Sequence, residues 1–345
     1  MLLLGLGWVC LIMKKLFLML AILSLVFASC SKDEINNPND GNDYYIVQLG
    51  WSGDILDIFE EPLTRVSGND LYGIQVYSCP DVEGSTTYIP YAYGLFDDID
   101  GITIKLLAGY KYKFESTMIV DGKNKLSSNS EGAFLSPFNV DNGWISITND
   151  FNFSSTIKME PSKSLVSLKV GGTAYVPNLE RFYGVTTDYK PSDNGNVDID
   201  MKRVSFGAKF VAQGKFKQEG GEIKIQIPDA PVAYITYSAE NNEHKYEDIY
   251  SFKDIVGAYN VAKDNDYVVE MEVNLSWTKA NGVTVPFGDY KVKFRRNKKT
   301  VINIKVDDKS SENGMGLILE TTEITNGDEY TIDPGGSSDT DVDIN

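Results

Sequence analysis

The chain has 345 residues, 49 of them Asp or Glu against 32 Lys or Arg, for a formal net charge of −17. A chain this acidic is repelled by phosphate backbones and anionic lipid heads, which argues against nucleic acid as a partner. It holds a single histidine, so any site needing two histidines is excluded, and most zinc hydrolases with it.

Residues 1–12 are apolar and precede the first charged pair, Lys14-Lys15. That reverses the usual order of an export signal, so Met13 reads as the start and residues 1–12 as a mis-called extension. From Met13 onward the order is regular. Two lysines precede an apolar run from Leu16 to Phe27, and the small residues Ala28 and Ser29 stand directly before Cys30. The run is shorter than the ~20 apolar residues that span a membrane, and residues 1–29 read as a signal peptide.

A cysteine straight after the small residues resembles a bacterial lipobox, with Phe27 where leucine is usual. The resemblance implies cleavage before Cys30 and acylation of its thiol. Two or more acyl chains anchor stably where one does not, so Cys30 is the expected lipid attachment site. Cleavage removes two lysines and no acids, taking the net charge from −17 to −19.

Residues 30–43 form the lipidated, flexible tether: Ser31 to Asp43 lacks the apolar content that orders a chain. Extended, its thirteen residues reach roughly 40 Å. The run Ser31-Lys-Asp-Glu34 resembles the surface-export signal of Bacteroidetes lipoproteins, which implies the outer membrane, facing out. An inner-leaflet, periplasmic location is the alternative. With Cys30 lipidated and Cys10 in the extension, Cys79 has no disulfide partner. Stability must then come from burial, and about 300 residues suffice for two domains.

Beyond the tether the dominant period is two. Ile102, Ile104 and Leu106 alternate with Thr103 and Lys105, and Tyr110, Tyr112 and Phe114 with Lys111, Lys113 and Glu115. Val204 to Phe210, Ile223 to Ile227, Val269 to Trp277 and Ile302 to Val306 repeat the pattern. Each places one face in a core and one in water. Asp121-Gly122, Asn142-Gly143 and Asn281-Gly282 punctuate the runs. This is an all-β chain built of antiparallel β-sandwiches. Tyr246, Ile249, Tyr250, Ile255 and Val256 approximate helical spacing, which predicts a short helix near 245–258 covering a sheet edge. The polar stretch Pro191–Asn196 marks the expected boundary between an N-terminal sandwich, 44–196, and a C-terminal one, 197–334. Residues 335–345 form a flexible acidic tail.

Catalytic chemistry is sparse. His244 lies in the polar run Glu240-Asn-Asn-Glu-His-Lys245 and reads as solvated. No Gly-x-Ser-x-Gly elbow and no phosphate-cradling glycine loop occurs. Asp97-Asp98-Ile-Asp100-Gly101 resembles part of a calcium loop, but Phe96 and Leu107 stand at the first and twelfth ligand positions. Asp339, Asp341 and Asp343 have suitable early spacing in the tail. Both read as solvated turns, so no metal, cofactor or catalytic residue is expected and the chain is not read as an enzyme. Tyr88, Tyr91, Tyr93 and Phe96, with Trp51, Trp144 and Trp277, offer surfaces on which sugars stack, yet aromatics are also the residues strands favour.

The order of motifs carries a resemblance. A first strand near Tyr44–Leu49 precedes a loop with Glu60-Glu-Pro-Leu-Thr-Arg65, then Asp70-Leu-Tyr-Gly-Ile-Gln-Val-Tyr-Ser78. Phe182-Tyr-Gly184, Val197-Asp-Ile-Asp-Met-Lys-Arg203 and Phe294-Arg-Arg-Asn297 follow. The whole resembles the fimbrillin-like lipoprotein family of Bacteroidetes pilus subunits. That resemblance implies two transthyretin-like β-sandwiches in tandem and a surface-anchored structural or adhesion subunit of a pilus-like appendage. It also implies an arginine-specific cut in the loop after the first strand, for which Arg65 is the candidate position, with the strand sitting at a sheet edge. Loss of that strand would open a groove for a strand from another pilus subunit, and Leu317–Thr321 is the candidate donor region. Anchor or tip members need not be cut, and stalk, anchor and tip all stay open. The other reading is a surface glycan-binding lipoprotein of a polysaccharide-uptake system.

Overall fold

The computed structural model describes residues 43–54, 68–141, 143–163, 168–170, 173–175, 178–193, 195–252, 257–306 and 316–323. The alternating runs are strands, because each can bury one row of side chains while its backbone pairs laterally. In chain order the strands are β1 (Tyr44–Gly53), β2 (Leu71–Pro80), β3 (Ile89–Phe96), β4 (Thr103–Leu107), β5 (Tyr110–Ile119), β6 (Asn152–Phe153), β7 (Leu168–Val170), β8 (Thr173–Tyr175) and β9 (Arg181–Tyr189). They continue with β10 (Asn196–Arg203), β11 (Ser205–Gly214), β12 (Glu222–Gln226), β13 (Ala233–Thr236), β14 (His244–Ser251), β15 (Val268–Thr278), β16 (Thr284–Arg295), β17 (Lys298–Val306) and β18 (Gly316–Glu323). The helices among the described residues are short: α1 (Gly122–Lys125), α2 (Phe216–Glu219) and α3 (Gly257–Ala262). None is long and apolar enough to cross a membrane.

The first sheet runs β4-β1-β10-β9-β5-β2-β3-β6. Within it β1 joins two neighbours with opposite halves. Tyr44–Gln48 runs antiparallel to β4, and Gln48–Gly53 runs parallel to β10. The expectation of an edge strand is therefore corrected, since β4 lies outside β1. The cause is the same alternation that marks both strands: Val47 and Leu49 of β1 and Ile104 and Leu106 of β4 are buried together in one core. That core also takes Ile74 and Val76 of β2, Phe114 and Met118 of β5, Phe182 of β9, and Val197, Ile199 and Met201 of β10.

Two four-stranded sheets follow, β14-β11-β17-β18 and β13-β12-β15-β16. Phe206, Phe210, Ile302 and Ile304 of one meet Ile223, Ile235, Leu275, Trp277 and Phe294 of the other in a shared core. Trp277 is thus a packing residue, and its indole N–H donates to the Gly220 carbonyl at 2.9 Å. The strand expected to open the second region, Val197–Met201, lies in β10, which pairs within the first sheet, and the next sheet starts at Ser205.

The predicted helix near 245–258 is largely a strand. His244–Ser251 forms β14, antiparallel to β11, with Tyr250 opposite Phe206 and Tyr246 opposite Phe210. The lateral ladder outweighs a helical spacing of so few residues. A helix does occur, but from Gly257, and residues 253–256 lie outside the described residues.

The faces of β2, β5 and β9 position the site. One row of side chains enters the core just described. The reverse row begins apolar, with Leu71 and Ile119 under Phe138 and Met159. Gly73 is required there, since a Cβ would come within 2.5 Å of the Phe138 ring. Further along, the reverse row turns polar.

Candidate functional site

Odd-numbered residues of β2, β5 and β9 lie on that reverse face because side chains alternate. The register sets Gln75 opposite Glu115, Tyr77 opposite Lys113, and Thr117 opposite Tyr183. Alternation reads Lys111, Lys113 and Glu115 as the water face of β5. Glu115 is only 6% exposed, and Gln75 and Thr117 are fully buried. What covers them is the segment 158–163 and helix α3.

Buried polar groups must be paired, and these are. Gln75 Oε1 accepts the Met159 N–H at 2.6 Å, and its amide nitrogen donates to the Val76 and Ala92 carbonyls. Arg181, 3% exposed, donates from Nε to Thr117 Oγ1 and from Nη2 to the carbonyls of Pro161 and Lys163 at 2.7 and 2.9 Å. That guanidinium fastens the covering segment to the sheet. The Tyr183 hydroxyl donates to Glu115 Oε1 at 2.5 Å, while Lys113 Nζ lies 3.5 Å from Oε2 and 4.2 Å from the Tyr77 ring centre. Burial, reinforced by the neighbouring Glu115 carboxylate, pushes the Tyr77 and Tyr183 phenols well above their ordinary value.

At the end of this row a cleft of about 450 Å³ opens between β5, β9, Ser162 and α3. Lys113, Glu115 and Tyr183 line it from the sheet, and Tyr259 and Asn260 line it from α3. The Tyr259 ring meets Tyr183 edge-on, centroids 6.3 Å apart, and is 47% exposed.

A second cluster sits where β1 ends. Asp54 Oδ2 accepts from Arg296 Nη1 at 2.8 Å and from the Arg203 backbone N–H at 3.0 Å. Arg296 also donates to the carbonyls of Arg203 and Asp264 and to the Asn265 side chain. Arg203 pairs with Glu180 at 3.0 Å and donates to Asn297 Oδ1. Asn297 takes the left-handed conformation, φ 55°, that closes the turn between β16 and β17. Arg203 of the first motif and Arg296 of the second are therefore structural here. They hold Asp54, the last described residue before Arg65.

Arg65 itself lies outside the described residues, as do Cys30 and the tail with Asp339, Asp341 and Asp343. Leu317–Thr321, the candidate donor region, falls in β18 and pairs with β17 of its own chain. Asp97 pairs with Lys123 and receives the Asn149 amide at 2.6 Å, so its carboxylate is engaged by protein groups. Among the described residues no three His, Cys, Asp or Glu side chains converge as metal ligands do.

His244 corrects the sequence reading: it is 4% exposed, not solvated. Its ring stacks on Tyr237 at 4.9 Å and meets Phe216 edge-on, with Nε2 2.9 Å from the Ser238 carbonyl. Cys79 is buried, its Sγ 3.2 Å from Ser85 Oγ. Tyr91 and Phe96 are core residues, and Trp51 packs on Tyr72. Of the seven aromatics that the sequence offered for sugar stacking, Trp144 at 48% exposure stands furthest into solvent. Sequence reasoning missed Gln75, Glu115, Arg181 and Tyr183. An isolated glutamate at the end of a Lys-x-Lys-x-Glu alternation was the available signal.

No protein-family model matches the chain, and no curated protein does. Solved structures do match. The fimbrial anchor protein of Porphyromonas gingivalis is 9% identical, with a TM-score of 0.37 over 81% of this chain and 97% of that one. The tip fimbrial protein of the same organism, truncated at its C-terminus, is 10% identical, with a TM-score of 0.33 over 82% and 99%. A candidate cell adhesion protein of Bacteroides uniformis is 8% identical, with a TM-score of 0.36 over 81% and 98%. Likeness at these scores carries no argument about function.

Proposed function

We propose that the chain is a lipid-anchored structural or adhesion subunit of a pilus-like surface appendage, held in the outer membrane through Cys30. In this reading its two regions are transthyretin-like sandwiches, its partners are other pilus subunits, and it performs no catalysis. The sequence motifs and their order support the class. One observation carries the sub-role: β1 is the ladder partner of both β4 and β10.

An edge strand can be traded for a neighbour's at little cost. Withdrawing β1 instead takes away the strand against which β4 pairs and the buried side chains Val47 and Leu49. The geometry therefore favours a subunit that keeps its first strand, the anchor or tip role, over a stalk subunit that loses it after a cut at Arg65. The test is native digestion of the mature chain with an arginine-specific protease, followed by gel filtration and electron microscopy. The expected product stays monomeric and keeps the segment containing β1. Release of that segment with a ladder of oligomers or filaments would overturn the anchor-or-tip role, and continued fatty-acid labelling of Cys30→Ala would overturn the anchor.

A further inference from the structure

We infer that the cleft between β5, β9 and α3 is a binding subsite for a neutral pyranose ring. The inference goes beyond the appendage role and stands without it. Its volume, about 450 Å³, falls within the range of small-ligand sites. Its chemistry narrows the ligand.

A cationic ligand meets an occupied position, because Lys113 Nζ already lies 3.5 Å from Glu115 and 4.2 Å from the Tyr77 ring centre. An anion meets the Glu115 carboxylate inside a chain of net charge −17. A wholly apolar ligand would strip water from a charged pair without replacing its hydrogen bonds. What remains is a neutral molecule with several hydroxyls and one apolar face.

The walls match such a molecule. At 3.5 Å the Lys113–Glu115 contact is longer than the 2.7–2.9 Å of a strong charged hydrogen bond. Glu115 Oε2 and Lys113 can therefore accept from and donate to adjacent ring hydroxyls. Ser162 and Thr187 add neutral donors and acceptors to the lining. Tyr259 is 47% exposed and stands edge-on to Tyr183, with Lys263 Nζ 5.6 Å from its ring centre over one face; in the proposal the other face meets the C–H face of a sugar. The Tyr183 hydroxyl holds Glu115 Oε1 at 2.5 Å, which fixes the carboxylate's direction before anything binds.

Saturation-transfer NMR on the full mature chain, with methyl glucoside, methyl galactoside and methyl mannoside as probes, tests the inference. Transfer to at least one glycoside is expected. Tyr259→Ala, an exposed position, should weaken that binding about tenfold, the scale of one lost aromatic contact, with an unchanged melting temperature. Glu115→Gln should weaken it while Trp144→Ala leaves it intact. No transfer to any of the three, or transfer indifferent to Tyr259→Ala, overturns the inference. So does transfer lost only in Trp144→Ala, which would put the sugar elsewhere. None of these outcomes bears on the protease test of the appendage role.

Discussion

Strands β2 and β5 and the first half of β9 bury both their faces, and the two faces are held by different physics. Val76, Phe114, Met118 and Phe182 fill one by dispersion and the loss of hydrated apolar surface. Gln75, Glu115, Thr117, Arg181 and Tyr183 fill the other, where every donor must find an acceptor. The apolar face tolerates exchange of like for like. The polar face is set by direction, so it can hold groups poised toward a cleft. The contrast teaches that alternation in sequence marks a second face without saying what covers it.

Breaking the apolar face should cost most. Phe114→Ala removes a fully buried ring and should destabilise by about 4 kcal/mol, measured by urea unfolding, with protection lost across the whole first sheet. A cost below about 1 kcal/mol would mean the ring is not in a packed core. Arg181→Ala comes next, at roughly 3 kcal/mol for its charged hydrogen bonds. Here the loss should be local: amides of 158–163 should exchange early, since that segment hangs on the guanidinium. Uniform loosening instead would mean that the polar face is not a separate fastening.

Alkaline pH sharpens the comparison further. The Tyr77 and Tyr183 phenols are raised by burial and by Glu115, and the Tyr112 and Tyr250 phenols by burial and by a neighbouring tyrosine. A group whose folded pKa is raised contributes stability that is fully present below its unfolded pKa, about 10 for tyrosine. That stability is lost as pH rises above it. The urea midpoint should hold from pH 7 to 9 and fall beyond about pH 10. Tyr183→Phe should flatten part of that fall, and an identical fall in the variant would remove Tyr183 from the account. His244→Ala should cost least, about 1 kcal/mol for the lost stacking on Tyr237. A thermal melt indistinguishable from the parent would restore the solvated reading.

Much of this fold was legible in the sequence. Runs such as Ile223-Lys-Ile-Gln-Ile227 or Val269 to Trp277 are strands where their period says so, because one buried row in two is enough to specify them. The reverse face was not legible. Nothing local in Lys111-Tyr-Lys-Phe-Glu115 says that residues 158–163 and α3 will close over it, since contacts across forty residues and more leave no periodic trace. His244 was misread for the same reason: its neighbours in sequence are polar, but its neighbours in space are Tyr237 and Phe216. The residues of the cleft were not legible either, because they are scattered over two strands, the segment at Ser162 and a helix.

The contact between Arg296 and Asp54 spans 242 residues. Closing so long a loop costs only modestly more entropy than closing a short one, so the clasp is sound once made. Its timing is another matter. A chain that emerges from its amino end presents β1 first, yet Arg296 and Asn297 arrive only after most of the molecule has been synthesised. Until then Asp54 lacks its guanidinium partner and the carbonyl of Arg203 lacks a donor. Contacts this distant in sequence make for slow folding, and here they assign the completion of the earliest strand to one of the last turns.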